Sequence, residues 1–290
     1  MRFRRLLIGL LCLAGLVVLL DFGVAAYSEY RVSRLLRTGS DLSADPEITF
    51  HESLRHPFVS QALDGQYGNM DIRARAMRPD IPGKIIVEAN LKGVHLPMRQ
   101  LIDGDVAQVP VDEVQARMRI EPNELGRLFK IPDLQVFGPP TDKSDDSGNA
   151  AGTGPKTTGI IILEGTVPLG PNADAVAVTD PRSDTAQKVT KKKVHVIAEL
   201  RLEGTEVRIT AMSIAGRDLQ ADSDSVLPEQ DRTVISEQDK PAILARFTHT
   251  IDTRNMPFGI APTSVEAIAG QIVVEGTGRA VTVDLDRLQR

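Results

Sequence analysis

Apolar and polar positions alternate with a period of two through much of the chain. Met70, Ile72, Ala74 and Ala76 alternate with Asp71, Arg73 and Arg75. Ile85, Val87, Ala89 and Leu91 alternate with Lys84, Glu88 and Asn90, and Val114, Ala116, Met118 and Ile120 with Gln115, Arg117 and Arg119. Each run predicts a strand with one face buried and the other in water, the pattern of antiparallel sheet. Residues 160–167 predict another strand. Residues 194–202 and 207–214, joined by Gly204-Thr205, predict a long hairpin. Residues 272–275 and 280–285, joined by Gly276-Thr277-Gly278, predict a second. A short helix is expected over 122–129, with Pro122 in its first turn.

The N-terminus follows a different pattern. Arg2, Arg4 and Arg5 precede an unbroken apolar run over 6–20, and a basic flank before such a run is an export signal. The arginines hold that end in the cytoplasm and send the remainder outward. Val24-Ala25-Ala26 supplies small residues for a signal peptidase cutting after Ala26. The alternative is a retained anchor: 6–26 carries one charge, Asp21, and reaches the ~20 residues a span needs. Residues 27–37 place Tyr27, Tyr30, Arg31 and Leu35 on one face, a short amphipathic helix able to continue the anchor, with Gly39-Ser40 as its stop. The expected organisation is a signal peptide or anchor over 1–26 and a single β-rich domain over 27–290. Polar, low-complexity insertions interrupt that domain at 138–158, 170–188 and 221–240.

Composition narrows the function classes. Apolar residues make up 41% and charged residues 25%, which excludes a disordered chain and a polytopic membrane protein. With aromatics at 4% and no Trp, a stacking platform for bases or sugars is not expected. The net charge of −5, more acidic still without residues 1–26, excludes the basic footprint of a nucleic-acid binder. A single cysteine, Cys12, excludes an intramolecular disulfide and a thiolate zinc cage. His51 and His56 lie five apart, whereas histidines ligating zinc from one helical face lie four apart, so no metal is assigned. There is no G-x-S-x-G elbow, P-loop or G-x-G-x-x-G, and no nucleophile is placed beside a base. No catalytic residue and no cofactor are assigned, and a non-enzymatic role is expected.

The connections are unusual in being apolar. Residues 56–63, HPFVSQAL, and 255–260, NMPFGI, share a Pro-Phe pair in stretches that ought to be polar surface. Apolar connections either plug a core or form a greasy mouth. Several inward strand positions are small (Ala74, Ala76, Ala89, Ala116, Ala198 and Ala211), which would leave room for an acyl chain rather than a polar substrate. Pro57, Phe58, Val59, Leu63 and Phe258 are therefore candidate groove or mouth residues. Arg73 and Arg75 are candidate phosphate contacts, weighed against a plain reading as the outward face of a strand.

The order of signal, short helix, strand over 47–50 and then HPFVSQALDGQYGNMDIRARAM resembles the actinobacterial LmeA-type phospholipid-binding family, the lipomannan elongation factors of the mycobacterial envelope. Pro57, Phe58, Val59, Ser60, Gln61, Leu63, Gly65 and Tyr67 match that family's motif, and 91–94 and 256–260 also fit. The resemblance implies an α+β, mostly antiparallel fold: an elongated curved sheet with packed helices, similar to the tubular lipid-binding (TULIP) superfamily, with an apolar lipid groove. It adds Tyr67 and Ile260 to the candidate lipid-binding residues. It also implies a phospholipid ligand, a place in the periplasmic space or on the outer face of the plasma membrane, and support of mannan-chain elongation by a membrane mannosyltransferase. The competing readings are a lipid-free scaffold for a glycosyltransferase and a lipid- or glycan-acting hydrolase.

Overall fold

The computed structural model describes residues 2–38, 46–51, 57–77, 81–103, 108–138, 156–169, 190–215, 235–254 and 256–284. The insertion over 170–188, most of those over 138–158 and 221–240, and the Gly39-Ser40 stop lie outside the described residues.

Helix α1 runs unbroken over Arg2–Thr38, so the apolar run and the amphipathic segment after it form one rod. Strand β1 (Glu47–Phe50) follows, then helix α2 (Phe58–Asp64) and the long strands β2 (Gln66–Met77) and β3 (Lys84–His95). Helix α3 (Met98–Asp103) leads into β4 (Gln108–Ile120), helix α4 (Pro122–Phe129) and β5 (Gln135–Phe137). Strands β6 (Thr158–Leu169), β7 (Thr190–Glu203) and β8 (Glu206–Ile214) come next, with α5 (Lys240–Arg246) and β9 (His249–Asp252). A 3₁₀ turn at Pro257–Gly259 precedes β10 (Ser264–Ile268) and β11 (Gln271–Asp284).

The strands form two open antiparallel sheets, one in the order β1-β2-β3-β4-β11-β10 and one in the order β5-β6-β7-β8-β9. The protein is thus α+β and mostly antiparallel, as the period-two pattern predicts. Alternation sets the faces: Met70, Ile72, Ala74 and Ala76 of β2 are buried, while Arg73 and Arg75 between them are exposed. One continuous buried cluster draws side chains from both sheets, among them Met118 and Val274 of the first and Val196 and Ile209 of the second. Strand β10 packs across β6 and β7, which joins the layers. The predicted helix over 122–129 is α4, with Pro122 in its first turn and Lys130 closing it in the left-handed region (φ 57°).

The C-terminal hairpin forms elsewhere than expected. Residues 272–285 were to turn at Gly276-Thr277-Gly278. Instead β11 passes straight through those glycines, paired with β4 from Ile272 opposite Ile120 to Asp284 opposite Gln108. The turn lies one strand earlier, at Ala269-Gly270, where both residues take positive φ (49° and 80°) and match the twist of a tight hairpin. The strand glycines answer a different need. A Cβ on Gly276 would sit 2.4 Å from the Ala261 carbonyl oxygen and 2.9 Å from Ile260 Cγ2, so glycine permits the close approach of a crossing segment.

That distance generates a contrast between two glycines of the sheets. Gly276→Ala forces backbone apart and is expected to cost about 1–3 kcal/mol, the range for overpacking. Gly159→Ala on β6 meets no heavy atom within 4 Å and is expected to be neutral or slightly stabilising. Urea unfolding of the full chain, followed by circular dichroism, measures both.

Candidate functional site

The site is built where α1 meets the first sheet. From Phe3 to Leu20 the described side chains of α1 are exposed and apolar apart from Arg4 and three small residues, whereas Ala25, Ser28 and Val32 are buried against the protein. Asp21, Ala25, Glu29 and Ser33 recur every four residues and so share one helical face. Three of them bond to the domain. The Asp21 carboxylate accepts from the Phe58 N–H at 3.1 Å and the Val59 N–H at 2.8 Å. Those are the first two amides of α2, which have no partner inside their own helix. Glu29 Oε1 accepts from the Phe50 N–H of β1 at 2.9 Å, and the Ser33 hydroxyl donates to the Pro46 carbonyl at 2.6 Å.

Beneath this joint three rings pack together. The Phe50 centroid lies 5.3 Å from that of Phe58 and 4.9 Å from that of Tyr67, and Phe58 lies 5.6 Å from Tyr67. Such offset and edge-on pairs add to burial energy. Helix α2 carries Phe58 into the trio and is tied to β2 by the Gly68 N–H, which donates to Gln61 Oε1 at 2.8 Å. Gly65, in the left-handed region at φ 66°, ends the helix and turns the chain into β2. The Tyr67 hydroxyl is buried with no hydrogen-bond partner among the described residues, and burial pushes its ionisation above the ordinary phenol value.

A second feature crosses the core face of the same sheet. In register, Ile72 faces Ala89, Ala89 faces Ala116, and Ala116 faces Gly276, so three adjacent strands present a row of small groups. The 3₁₀ turn lies on β4 and β11 over this trough, with Met256, Phe258 and Ile260 buried. Phe258 holds φ 62°, a conformation that costs a bulky residue energy and persists only where packing enforces it. The segment is fastened to the other sheet by Thr253, whose N–H and hydroxyl both donate to the Thr205 carbonyl, at 2.8 and 2.6 Å.

The opposite, outer face is charged. Glu88 is 3.0 Å from Arg119, 3.5 Å from Arg73 and 3.9 Å from Arg117, and Arg117 also donates to Glu275 at 2.6 Å. Partial burial pushes the Asp71 carboxyl up, but hydrogen bonds from Asn90 and His51 outweigh it and hold the group below its ordinary value. Asp71, Arg73, Glu88, Asn90 and Arg117 rim an open depression of about 260 Å³. Another, of about 510 Å³, lies between α4, β5 and the β10–β11 turn.

The structure places the sequence candidates in three settings. Phe58, Tyr67, Phe258 and Ile260, expected at a groove or mouth, are packed inside the core as the structure stands. Pro57, Val59 and Leu63 are at the surface, and Leu63 is 74% exposed. Arg73 and Arg75 stand on the outward face of β2, away from both apolar features. Of the six small inward residues, Ala74, Ala76, Ala89, Ala116 and Ala198 are buried and Ala211 is half-buried. His51 pairs with Asp71, while Glu52 to His56 lie outside the described residues.

Sequence reading missed helix α2, although Pro57 before it, Gly65 after it and Phe58, Gln61 and Ala62 at helical spacing were all signals. It also missed Asp21, Glu29 and Ser33. Their four-residue spacing was visible, but a span read for hydropathy alone treats Asp21 only as a blemish.

One helix long and apolar enough to cross a membrane, compatible with a signal peptide or an anchor, is joined to two antiparallel sheets around an apolar core: the fold is that of an α+β, mostly antiparallel protein. The model of the LmeA-like phospholipid-binding family matches residues 19–277, and the chain belongs to that family. No curated protein and no solved structure matches it.

The orphaned Tyr67 hydroxyl yields a stability prediction. Removing an unsatisfied buried hydroxyl is neutral or favourable, so Tyr67→Phe is expected to unfold at an equal or higher temperature at pH 7. The native state disfavours the phenolate, so stability is full below the unfolded-state value of about 10 and falls as pH rises toward the higher native one. Thermal unfolding from pH 8 to pH 11 should show a steeper loss for the parent chain than for Tyr67→Phe.

Proposed function

We propose that this chain is a non-enzymatic phospholipid-binding protein of the cell envelope. It is exported, acts in the periplasmic space at the outer face of the plasma membrane, and supports mannan-chain elongation of lipomannan and lipoarabinomannan by a membrane mannosyltransferase. Residues 27–290 act as one lipid-binding domain. Membership of the LmeA-like family supports the ligand class and a binding rather than catalytic role.

The observation that carries the reading is the trough of Ala89, Ala116 and Gly276 filled by the chain's own strained segment. An acyl chain gains about 0.8 kcal/mol per methylene removed from water, and a trough without bulky side chains is where one fits between strands. Phe258 and Ile260 fill that space in the lipid-free state and yield it to the acyl chain; release of Phe258 from φ 62° offsets part of the cost. Tyr67 supplies a hydroxyl, without a partner among the described residues, for a glycerol ester or phosphate oxygen. Phe58 backs it in the aromatic trio, Pro57, Val59 and Leu63 form the entrance, and Arg73 and Arg75 meet headgroups outside the trough.

Native mass spectrometry of the full chain released from detergent, followed by lipid extraction, tests this. One phospholipid per chain is expected. Phe258→Gly removes the filling ring and suits the positive φ, so it should raise occupancy, and Tyr67→Phe should lower it without loss of fold. A chain that takes up no phospholipid in any of these forms, yet still captures a glycosyltransferase, would establish the scaffold reading instead.

A further inference from the structure

We propose that α1 is not removed at Ala26 but stays as a membrane anchor whose outer half is built into the domain, and that the exposed face of α2 lies in the interface of the bilayer α1 spans. This goes beyond the phospholipid-binding reading and does not rest on it.

The first argument is the joint itself. Cutting after Ala26 would discard the Asp21 carboxylate that holds the first two amides of α2, and would discard Ala25, which is 3% exposed. The Val24 carbonyl accepts from the Ser28 hydroxyl at 2.9 Å, so the small-residue segment continues the helix, with Ala25 packed on the protein and Val24 and Ala26 exposed. The family match also begins at residue 19, ahead of Asp21, which places the joint inside the family's own domain.

The second argument is depth. An α-helix rises 1.5 Å per residue, so the ~30 Å of hydrocarbon takes about 20 residues. Counted from Leu6, just past the arginines on the cytoplasmic side, the span ends near Ala25. Asp21 falls short of that end, and its two backbone hydrogen bonds supply what a carboxylate needs when it leaves water. Helix α2, pinned at Asp21, therefore sits at the membrane boundary rather than above it. Its outward side chains suit that place: Val59, whose own amide is one of the two bonded to Asp21, is 36% exposed, and Leu63, one turn on, 74%. They continue the exposed apolar surface of α1 at Leu20, Phe22 and Val24. Tyr27 and Tyr30, both exposed, come next along α1, at the level where tyrosine gathers in bilayers. The occupant of this surface is thus the phospholipid bilayer itself.

The test uses the full chain expressed in an actinobacterial host. N-terminal sequencing and intact mass of the membrane-extracted protein should show a chain that retains Asp21; a mature N-terminus at Tyr27 overturns the proposal. Position is read separately, in a Cys12→Ser background, with bimane on Leu63→Cys and, for comparison, on Met212→Cys, an exposed site on β8. In vesicles of phosphatidylglycerol and phosphatidylethanolamine with brominated acyl chains, the Leu63 probe should lose emission and the Met212 probe should keep it. Equal emission at both sites overturns the docking of α2. Asp21→Ala should restore emission at residue 63 while the chain stays in the membrane, and unchanged quenching there removes Asp21 as the pin. None of these readouts depends on a lipid being held in the core, so failure here and failure of the binding function are separable.

Discussion

Strand β4 is hydrogen-bonded on one side to β3, its near neighbour in sequence, and on the other to β11, which arrives from the far end of the chain. The β4–β11 ladder runs from Ile120 opposite Ile272 to Gln108 opposite Asp284, and Arg117 on the outer face reaches Glu275 across it. Without it the six-stranded sheet would be the four strands β1-β2-β3-β4 with a bare edge and a β10–β11 hairpin lacking a partner. Everything between residues 120 and 271, including the whole second sheet, is looped out from this ladder.

The same ladder creates the trough. Pairing Ala116 with both Ala89 and Gly276 puts small groups side by side, and a sheet with such a row either curves, admits another segment, or holds a ligand. In this protein the segment from Met256 to Ile260 enters, fastened through Thr253 to the hairpin of the other sheet. The two sheets are therefore linked through this element as well as through β10 on β6 and β7. The aromatic trio of Phe50, Phe58 and Tyr67 at the α2 end is a second closure.

On the six-stranded sheet the charged cluster around Glu88 stands on the outer face. Glu88 serves three arginines on the face opposite the core, an arrangement worth little in stability because the groups are partly solvated. Its consequence is that the sheet presents one wet face and one dry one, so a lipid tail has a single side on which to lie.

Much of this was written in the sequence. Period-two runs located β2, β3 and β4 and assigned their inward residues, because alternation is a local property that survives any arrangement of strands, and β6 and the β7–β8 hairpin were legible as strands too. The basic flank and apolar run identified α1, and the Pro-Phe motif located the region that proved to be α2. Tertiary structure alone decided the rest. Glycines 276 and 278 look like a turn in one dimension, and only the approach of Ile260 and Ala261 shows that they are a clearance. Asp21 looks like a flaw in a span until α2 is folded beside it. Whether Phe58 and Phe258 line a mouth or seal a core depends on what lies across from them, a question of long-range contact that no local pattern encodes.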